Sequence, residues 1–167
     1  MTRKKIYINE GQWFAVPLRN GGYALGVVVR GNSKSVCLGY FFGPRYEKPP
    51  NDEIIWMKKA EDAILITQFG DQGLTNSSWP LIQTTRPFSR EEWPIPKFGV
   101  EIPFSAGKGF VREYEFNDSG EWRLLRETLV DAKDVMGMPS DSLKGGGSVE
   151  VTLTKLLEKK SNGSPTE

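Results

Sequence analysis

Short runs of apolar residues, separated by Gly and Pro, fill residues 11–110 of the chain. The runs are rich in β-branched and aromatic side chains. Short apolar runs bounded by turn-forming residues are typical of strands. The pattern therefore predicts a mostly β fold with α+β character at its margins.

The clearest pair of predicted strands spans residues 23–30 and 34–42. Gly31, Asn32 and Ser33 join them, and such residues tolerate the positive φ angles of tight hairpin turns. We therefore expect an antiparallel hairpin here.

The second strand of this hairpin alternates between two uncharged faces. One face holds Val36, Leu38, Tyr40 and Phe42, and the other holds Cys37, Gly39, Phe41 and Gly43. Uncharged faces indicate that other parts of the protein cover the strand on both sides. Glycine in mid-strand, as at Gly26 and Gly39, permits sharp coiling or close packing of another segment. We therefore expect a strongly curved antiparallel sheet or a small half-open barrel.

Shorter patterns predict the other elements. Further strands are predicted over residues 14–18, 63–69, 79–84 and 110–116. A short helix is predicted over 52–58, because acidic residues at its start interact favourably with the helix dipole. Residues 122–130 fit either a strand or the start of a helix, and residues 128–147 resist assignment.

Prolines and aromatic residues are interspersed in residues 86–104. The prolines are Pro87, Pro94, Pro96 and Pro103, and the rings are Phe88, Trp93, Phe98 and Phe104. Because Pro cannot donate to a strand ladder, this segment is not expected in the middle of a sheet. We predict an ordered loop whose rings cover a sheet.

Glycine and proline mark a linker at residues 138–147, and an amphipathic helix is predicted after it. Ser148 is a suitable N-cap. The apolar face of the helix holds Val149, Leu153, Leu156 and Leu157. The predicted organisation is an N-terminal tail (1–10), a β-rich domain (11–137), the linker (138–147), the C-terminal helix (148–160) and a disordered tail (161–167).

The strand predicted over residues 110–116 has an acidic face. Glu113 and Glu115 share that face with Val111, and Asp118 and Glu121 follow beyond the next turn. Carboxylates grouped in this way can meet a basic cleft of a partner and speed its encounter. We therefore take Glu113, Glu115, Asp118 and Glu121 as candidate partner-binding residues. The alternative is that they form the solvent side of a strand.

Composition narrows the possible chemistry, because the 167 residues include no His and a single Cys. Imidazole catalysis, His-held metals, disulfide frameworks and Cys-rich metal sites are therefore excluded. Cys37 lies between apolar strand residues, which predicts a buried and inert thiol. We expect a protein without catalysis, metal or cofactor. An enzyme that uses carboxylates alone stays open as an alternative, since adjacent acids such as Asp52 and Glu53 are present.

Charged residues are distributed unevenly along the chain, although the net charge is only +1. Residues 1–50 hold 8 basic and 2 acidic side chains. A second hypothesis is therefore a small β-barrel module that binds single-stranded nucleic acid through this part of the chain. The basic residues are scattered rather than clustered, which makes nucleic acid the weaker hypothesis. They include Arg19, Arg30, Lys34, Arg45 and Lys48.

The sequence contains no apolar run of about 18 residues, so no membrane-spanning helix is expected. Polar residues follow the basic start where a signal peptide needs an apolar run. We expect a cytoplasmic protein.

Six short blocks of aromatic, Gly and Pro residues follow one another along the chain. They read GQWFAVPL (11–18), GYALGVV (22–28), LGYFFG (38–43), FGDQGL (69–74), WPLI (79–82) and WPIPKF (93–98). Their order and spacing resemble the immunity protein 26 family of bacterial polymorphic toxin systems, over residues 11–117. The residues that carry the resemblance are Trp13, Pro17, Gly26, Phe41, Phe42, Gly43, Trp79, Trp93, Pro94, Pro96 and Phe98.

The resemblance implies a mostly β immunity protein that binds and neutralises a cognate toxin domain in the same cytoplasm, without catalysis. A nuclease is one class of such toxin. The matching residues are expected to determine the fold, so they do not locate the toxin-binding surface.

Overall fold

Strands are the most abundant regular element of the structure, a computed structural model that describes residues 7–31, 36–104, 107–117 and 120–162. In chain order the strands are β1 (Trp13–Pro17), β2 (Tyr23–Gly31), β3 (Val36–Tyr46), β4 (Leu65–Gly70), β5 (Leu81–Ile82), β6 (Phe98–Glu101), β7 (Lys108–Phe116), β8 (Trp122–Asp131) and β9 (Leu143–Lys144). The helices are α1 (Asp52–Met57), α2 (Gln72–Thr75), α3 (Ala132–Val135) and α4 (Gly146–Asn162).

Within the described residues the strands form a large sheet, ordered β5-β1-β2-β3-β4-β9, and a small sheet, ordered β6-β7-β8. Neighbouring strands are antiparallel except for β4 and β9, which are parallel. Neither sheet closes into a barrel in this part of the chain. The predicted mostly β class, with a C-terminal helix, is confirmed.

The predicted hairpin, β2 and β3, forms the centre of the large sheet. Its turn residues Asn32 and Ser33 lie outside the described residues. The two faces of β3 enter two separate hydrophobic clusters, as the alternation predicts: Cys37 and Phe41 in one, and Leu38, Tyr40 and Phe42 in the other. The central strands are therefore buried on both sides.

Helix α4 covers the first face of the large sheet, the one that carries Cys37 and Phe41. Val149, Leu153 and Leu157 of α4 are buried against that face, together with Trp79 from the loop before β5. The helix begins at Gly146, two residues before the Ser148 predicted as its N-cap. Strand β9 pairs with β4 inside the segment 138–147, which the sequence predicts as a linker.

The small sheet and the proline-rich segment (86–104) cover the second face of the large sheet, the one that carries Leu38, Tyr40 and Phe42. Trp93 is 2% exposed, and its ring contacts the rings of Trp13, Tyr40 and Phe42. The loop that was predicted to cover a sheet therefore does so at Trp93. The ring of Phe104 is fully exposed, which differs from the prediction for the end of this segment.

Some elements differ from their predicted extents. The strand predicted over 79–84 is reduced to Leu81–Ile82, because Trp79 turns into the core before the strand begins. Residues 122–130 belong to strand β8, so the strand is the correct alternative. The unassigned segment 128–147 contains the end of β8, helix α3 and β9.

Candidate functional site

Strand β8 is the outermost strand of the small sheet, and its residues Arg123 to Leu129 are all exposed. Three of them are leucines: Leu124, Leu125 and Leu129 are 47%, 54% and 58% exposed. Large apolar side chains grouped on a surface mark sites of protein contact more often than single ones do. The surface of β8 is therefore a candidate binding site.

Pairing with β7 divides the β8 side chains between two faces, because directly paired residues in an antiparallel ladder share a face. The inner face points toward the large sheet, since Tyr114 of β7 packs in the second cluster. It carries Trp122, Leu124, Glu127 and Leu129, paired with Phe116, Tyr114, Arg112 and Phe110. The outer face carries Arg123, Arg126 and Thr128, paired with Glu115, Glu113 and Val111. A register shift lies between the Glu113–Arg126 and Tyr114–Leu124 pairs, and it leaves Leu125 without a partner.

The predicted acidic face is the outer face of the small sheet, and cations accompany its carboxylates there. Glu113 lies 3.7 Å from Lys97 and 3.8 Å from Arg126. Glu115 lies 2.5 Å from Arg123. The face therefore carries alternating charges rather than a negative patch. The basic residues Lys97, Arg123 and Arg126 lie outside β7, so the sequence of β7 alone could not predict that they neutralise its carboxylates.

The other two candidate acids follow β7 in the sequence. Glu121 is exposed, and its backbone N–H donates to the side-chain oxygen of Asn117 at 2.8 Å. Asp118 lies outside the described residues. The structure thus places Glu113 and Glu115 on one face and Glu121 at the end of the hairpin.

A hydrogen-bonded network holds the inner face of this hairpin, and the sequence did not reveal it. Arg112 contacts Glu127 at 2.7 Å and Asp141 at 3.0 Å. The Tyr114 hydroxyl donates to Asp141 at 2.6 Å, and Gln68 of β4 donates to the same carboxylate at 3.3 Å. The network joins the small sheet to β4 of the large sheet, so it fixes the position of the β7–β8 hairpin.

The network also raises the pKa of two of its members, Arg112 and Tyr114. Burial, and then the hydrogen bond to Asp141, raise the pKa of Tyr114 to about 12. The hydrogen bonds to Asp141 and Glu127 raise the pKa of Arg112 above its ordinary value. Both shifts move the pKa further above physiological pH, where Tyr is neutral and Arg is charged even at their ordinary pKa values.

The basic residues of the first 50 positions do not all face solvent. Arg30 is 6% exposed, donates to the carbonyl of Val29 at 2.6 Å, and has a pKa lowered mainly by burial. Arg19 pairs with Glu150 of α4 at 3.2 Å. Lys34 lies outside the described residues. Arg30 is thus inaccessible to a phosphate, which weakens the nucleic-acid hypothesis.

Cys37 is 3% exposed, and burial raises the pKa of its thiol to about 12. Since the thiolate is the reactive form, the geometry opposes a nucleophilic role for this residue. The structure therefore supports the prediction of a buried thiol.

We expect Cys37 to resist labelling by a thiol reagent such as DTNB at pH 8 in the native protein, and to react fully in denaturing urea. Because it is the single Cys of the chain, its labelling reports opening of the first core cluster. The measurement is absorbance of the released thiolate against time. Rapid labelling without urea would contradict the expectation.

A second exposed apolar site lies on α1, where Trp56 is 52% and Met57 is 71% exposed. The Trp56 indole N–H donates to the Thr85 hydroxyl at 3.0 Å, which holds the ring against the surface. This pair is a smaller alternative to the β8 surface.

The described residues contain no group of three or more His, Cys, Asp or Glu placed to hold a metal ion. Among the same residues, no helix combines the length and the apolar character that crossing a membrane requires.

A protein-family model described as Immunity protein 26 matches residues 9–109. The chain belongs to the immunity protein 26 family. The comparison confirms the resemblance seen in the sequence. Comparisons with curated proteins and with solved structures give no significant match.

The motif residues of this immunity protein 26 chain lie mainly in the core. Those buried are Trp13, Phe41, Phe42, Trp79, Trp93 and Phe98. Gly26 and Gly43 lie in β2 and β3, Pro17 ends β1, and Pro94 accepts a hydrogen bond from the Tyr40 hydroxyl. Pro96 lies between Trp93 and β6. The family match ends within β7, so the exposed strand β8 lies outside the matched residues.

Proposed function

We propose that this protein binds a cognate toxin domain in the bacterial cytoplasm and neutralises it by forming a complex, without catalysis. The match of residues 9–109 to the immunity protein 26 family carries the proposal. A cognate toxin encoded beside the immunity gene is its expected partner, and a nuclease is one class of toxin that fits.

The surface of the β7–β8 hairpin supports this proposal. Protein interfaces combine an apolar centre with a polar and charged rim. The exposed leucines of β8 supply apolar area, with Leu124 and Leu129 on its inner face, and Arg123 and Arg126 supply charge on its outer face. The network through Asp141 holds the hairpin in place, which lowers the entropy cost of binding.

We propose that Glu113, Glu115, Asp118 and Glu121 contribute to the rim of that interface. Glu113 and Glu115 already have cationic neighbours, so a toxin would share these ion pairs rather than meet free carboxylates. Rim charges mainly affect the association rate and its salt dependence. We therefore propose that these residues speed the association of the two proteins and help to orient them.

The proposal predicts that expression of the toxin domain encoded by the adjacent reading frame stops growth, and that co-expression of this protein restores it. The purified proteins should form a stable complex, measured by light scattering after gel filtration. A matched control is an immunity protein from another family, which should not restore growth. Failure of both rescue and complex formation would refute the proposal, and salt-sensitive retention on heparin would favour nucleic acid instead.

A further inference from the structure

We propose that β8 receives an extended strand of the toxin domain along its outer edge, so that the toxin adds a strand to the small sheet. This inference rests on the proposed function, because it specifies how the same partner binds. Strand addition of this kind takes its affinity from main-chain hydrogen bonds and its specificity from alternating side chains.

The outer edge of β8 is available for pairing. Strand β8 ends the order β6-β7-β8, and within the described residues no strand lies on its other side. A strand at the edge of a sheet presents backbone N–H and C=O groups that another strand can pair with. The exposure of every residue from Arg123 to Leu129 keeps this edge open to a partner.

The length of β8 distinguishes it from the other terminal strands of the described sheets. Strands β5 and β9 have 2 residues each and β6 has 4, whereas β8 has 10. Proteins often limit unwanted pairing by keeping edge strands short or covered. Beyond the register shift at Leu125, residues 126–131 extend the strand by about 20 Å, which is the length of a typical strand.

The two faces of β8 define the chemistry of the added strand. On the inner side its residues would lie beside Leu124 and Leu129, which favours apolar side chains there. On the outer side they would lie beside Arg123 and Arg126, whose side chains are 68% and 73% exposed. A guanidinium has five N–H donors, so each Arg can bind a toxin carboxylate and keep its own Glu. The expected partner is therefore a strand that alternates apolar and acidic residues.

The same charges disfavour a second copy of this chain in the register that would bring the exposed leucines of two β8 strands together. An antiparallel pairing of two β8 strands that brings Leu124 opposite Leu125 also brings Arg123 opposite Arg126. Like charges directly opposite each other destabilise a strand pair. A toxin strand with acidic residues avoids this repulsion.

Leu129→Asp and Leu143→Asp form a matched pair for the test, because these leucines are 58% and 59% exposed. Both variants should fold, since more than half of each side chain is exposed, and thermal melting verifies this. Binding is measured by titration calorimetry with the toxin domain encoded by the adjacent reading frame. We expect Leu129→Asp to weaken binding about 30-fold, the loss typical of a central interface residue. Leu143→Asp should bind like the wild type.

Hydrogen exchange of the complex tests strand pairing itself. In the free protein, the β8 amides that point to β7 should exchange slowly and the alternate amides quickly. Toxin binding should slow the alternate amides of residues 123–130, since these would then donate to the added strand. Unchanged exchange at these amides would overturn strand addition even if Leu129→Asp weakened binding.

Other outcomes also decide the question. Full binding by Leu129→Asp with loss of binding by Trp56→Ala would place the toxin on α1 and overturn the inference, while the proposed function would stand. A homodimer that Leu129→Asp dissociates and Leu143→Asp does not would assign the edge to a second copy, which also overturns it. No complex with the wild-type protein would refute the proposed function and this inference together.

Discussion

Trp79→Ala is expected to lower the free energy of unfolding by about 4 kcal/mol, the loss typical of removing a buried Trp. Trp79 is 1% exposed, and its ring stacks on Phe14 with centroids 5.6 Å apart. The same ring lies 5.8 Å from Phe69, and its indole N–H donates to Glu150 of α4 at 2.9 Å. The substitution therefore opens a cavity between the large sheet and the C-terminal helix.

Urea denaturation followed by circular dichroism measures this loss. Trp79→Phe is the matched control, because it keeps a ring against Phe14 and removes the donor to Glu150. We expect the control to lose about 1–2 kcal/mol, the cost of one hydrogen bond and a smaller ring. Equal losses for the two variants would show that the hydrogen bond, rather than packing, is what Trp79 contributes.

Cys37 provides an independent measure of the same variant. Cys37, Trp79 and residues of α4 belong to one hydrophobic cluster. If loss of the Trp79 ring loosens α4, Cys37 should be labelled faster in Trp79→Ala at urea concentrations below the unfolding transition. A labelling rate that changes only through the unfolding transition would show that α4 stays docked until the whole protein unfolds.

The centre of the fold could be predicted from the sequence because its signals are local. Alternation of side chains in β3 assigns Phe41 to one core cluster and Phe42 to the other, and the structure has both there. The period of two residues in a strand is enough for that prediction. The spacing of apolar residues likewise identified the buried face of α4, including Leu153.

The surroundings of the candidate site could not be predicted, because they depend on residues far apart in the chain. Asp141 stabilises Arg112 and Tyr114 across 29 and 27 positions. Its segment carries Gly and Ser, which predicted a linker and gave no sign of β9. The acidic face on β7 is predictable from alternation, but its neutralisation by Arg123 and Arg126 depends on the pairing of β8.

The family match and the candidate binding strand β8 therefore occupy different parts of this protein. The family match covers the large sheet up to β5, the proline-rich segment, β6 and the beginning of β7. The long exposed strand follows that match and is attached to the core through Arg112, Tyr114 and Trp122. If the proposed function holds, a surface outside the matched scaffold can differ between relatives without repacking the core, which suits recognition of one cognate toxin.

Gly26→Ala is expected to lower the free energy of unfolding by about 3 kcal/mol, at the upper end of the cost of overpacking. A Cβ at Gly26 would lie 2.5 Å from Cε2 of Phe14 and 3.1 Å from Cδ1 of Phe41. Phe14 cannot move aside easily, since its ring also contacts Phe69 and Trp79. Gly70→Ala is the matched control in the same sheet, because a Cβ there meets no atom within 4 Å.

The control should change stability by less than about 1 kcal/mol, with stabilisation expected from the reduced entropy of the unfolded chain. A double-mutant cycle then identifies the cause of the loss at Gly26. Phe14→Leu removes the ring atoms that the new methyl group would meet, so the double variant should be more stable than the sum of the single losses predicts. Additive losses would instead assign the cost to the backbone of β2, and the close approach of Phe14 would not be the reason that glycine occupies this position.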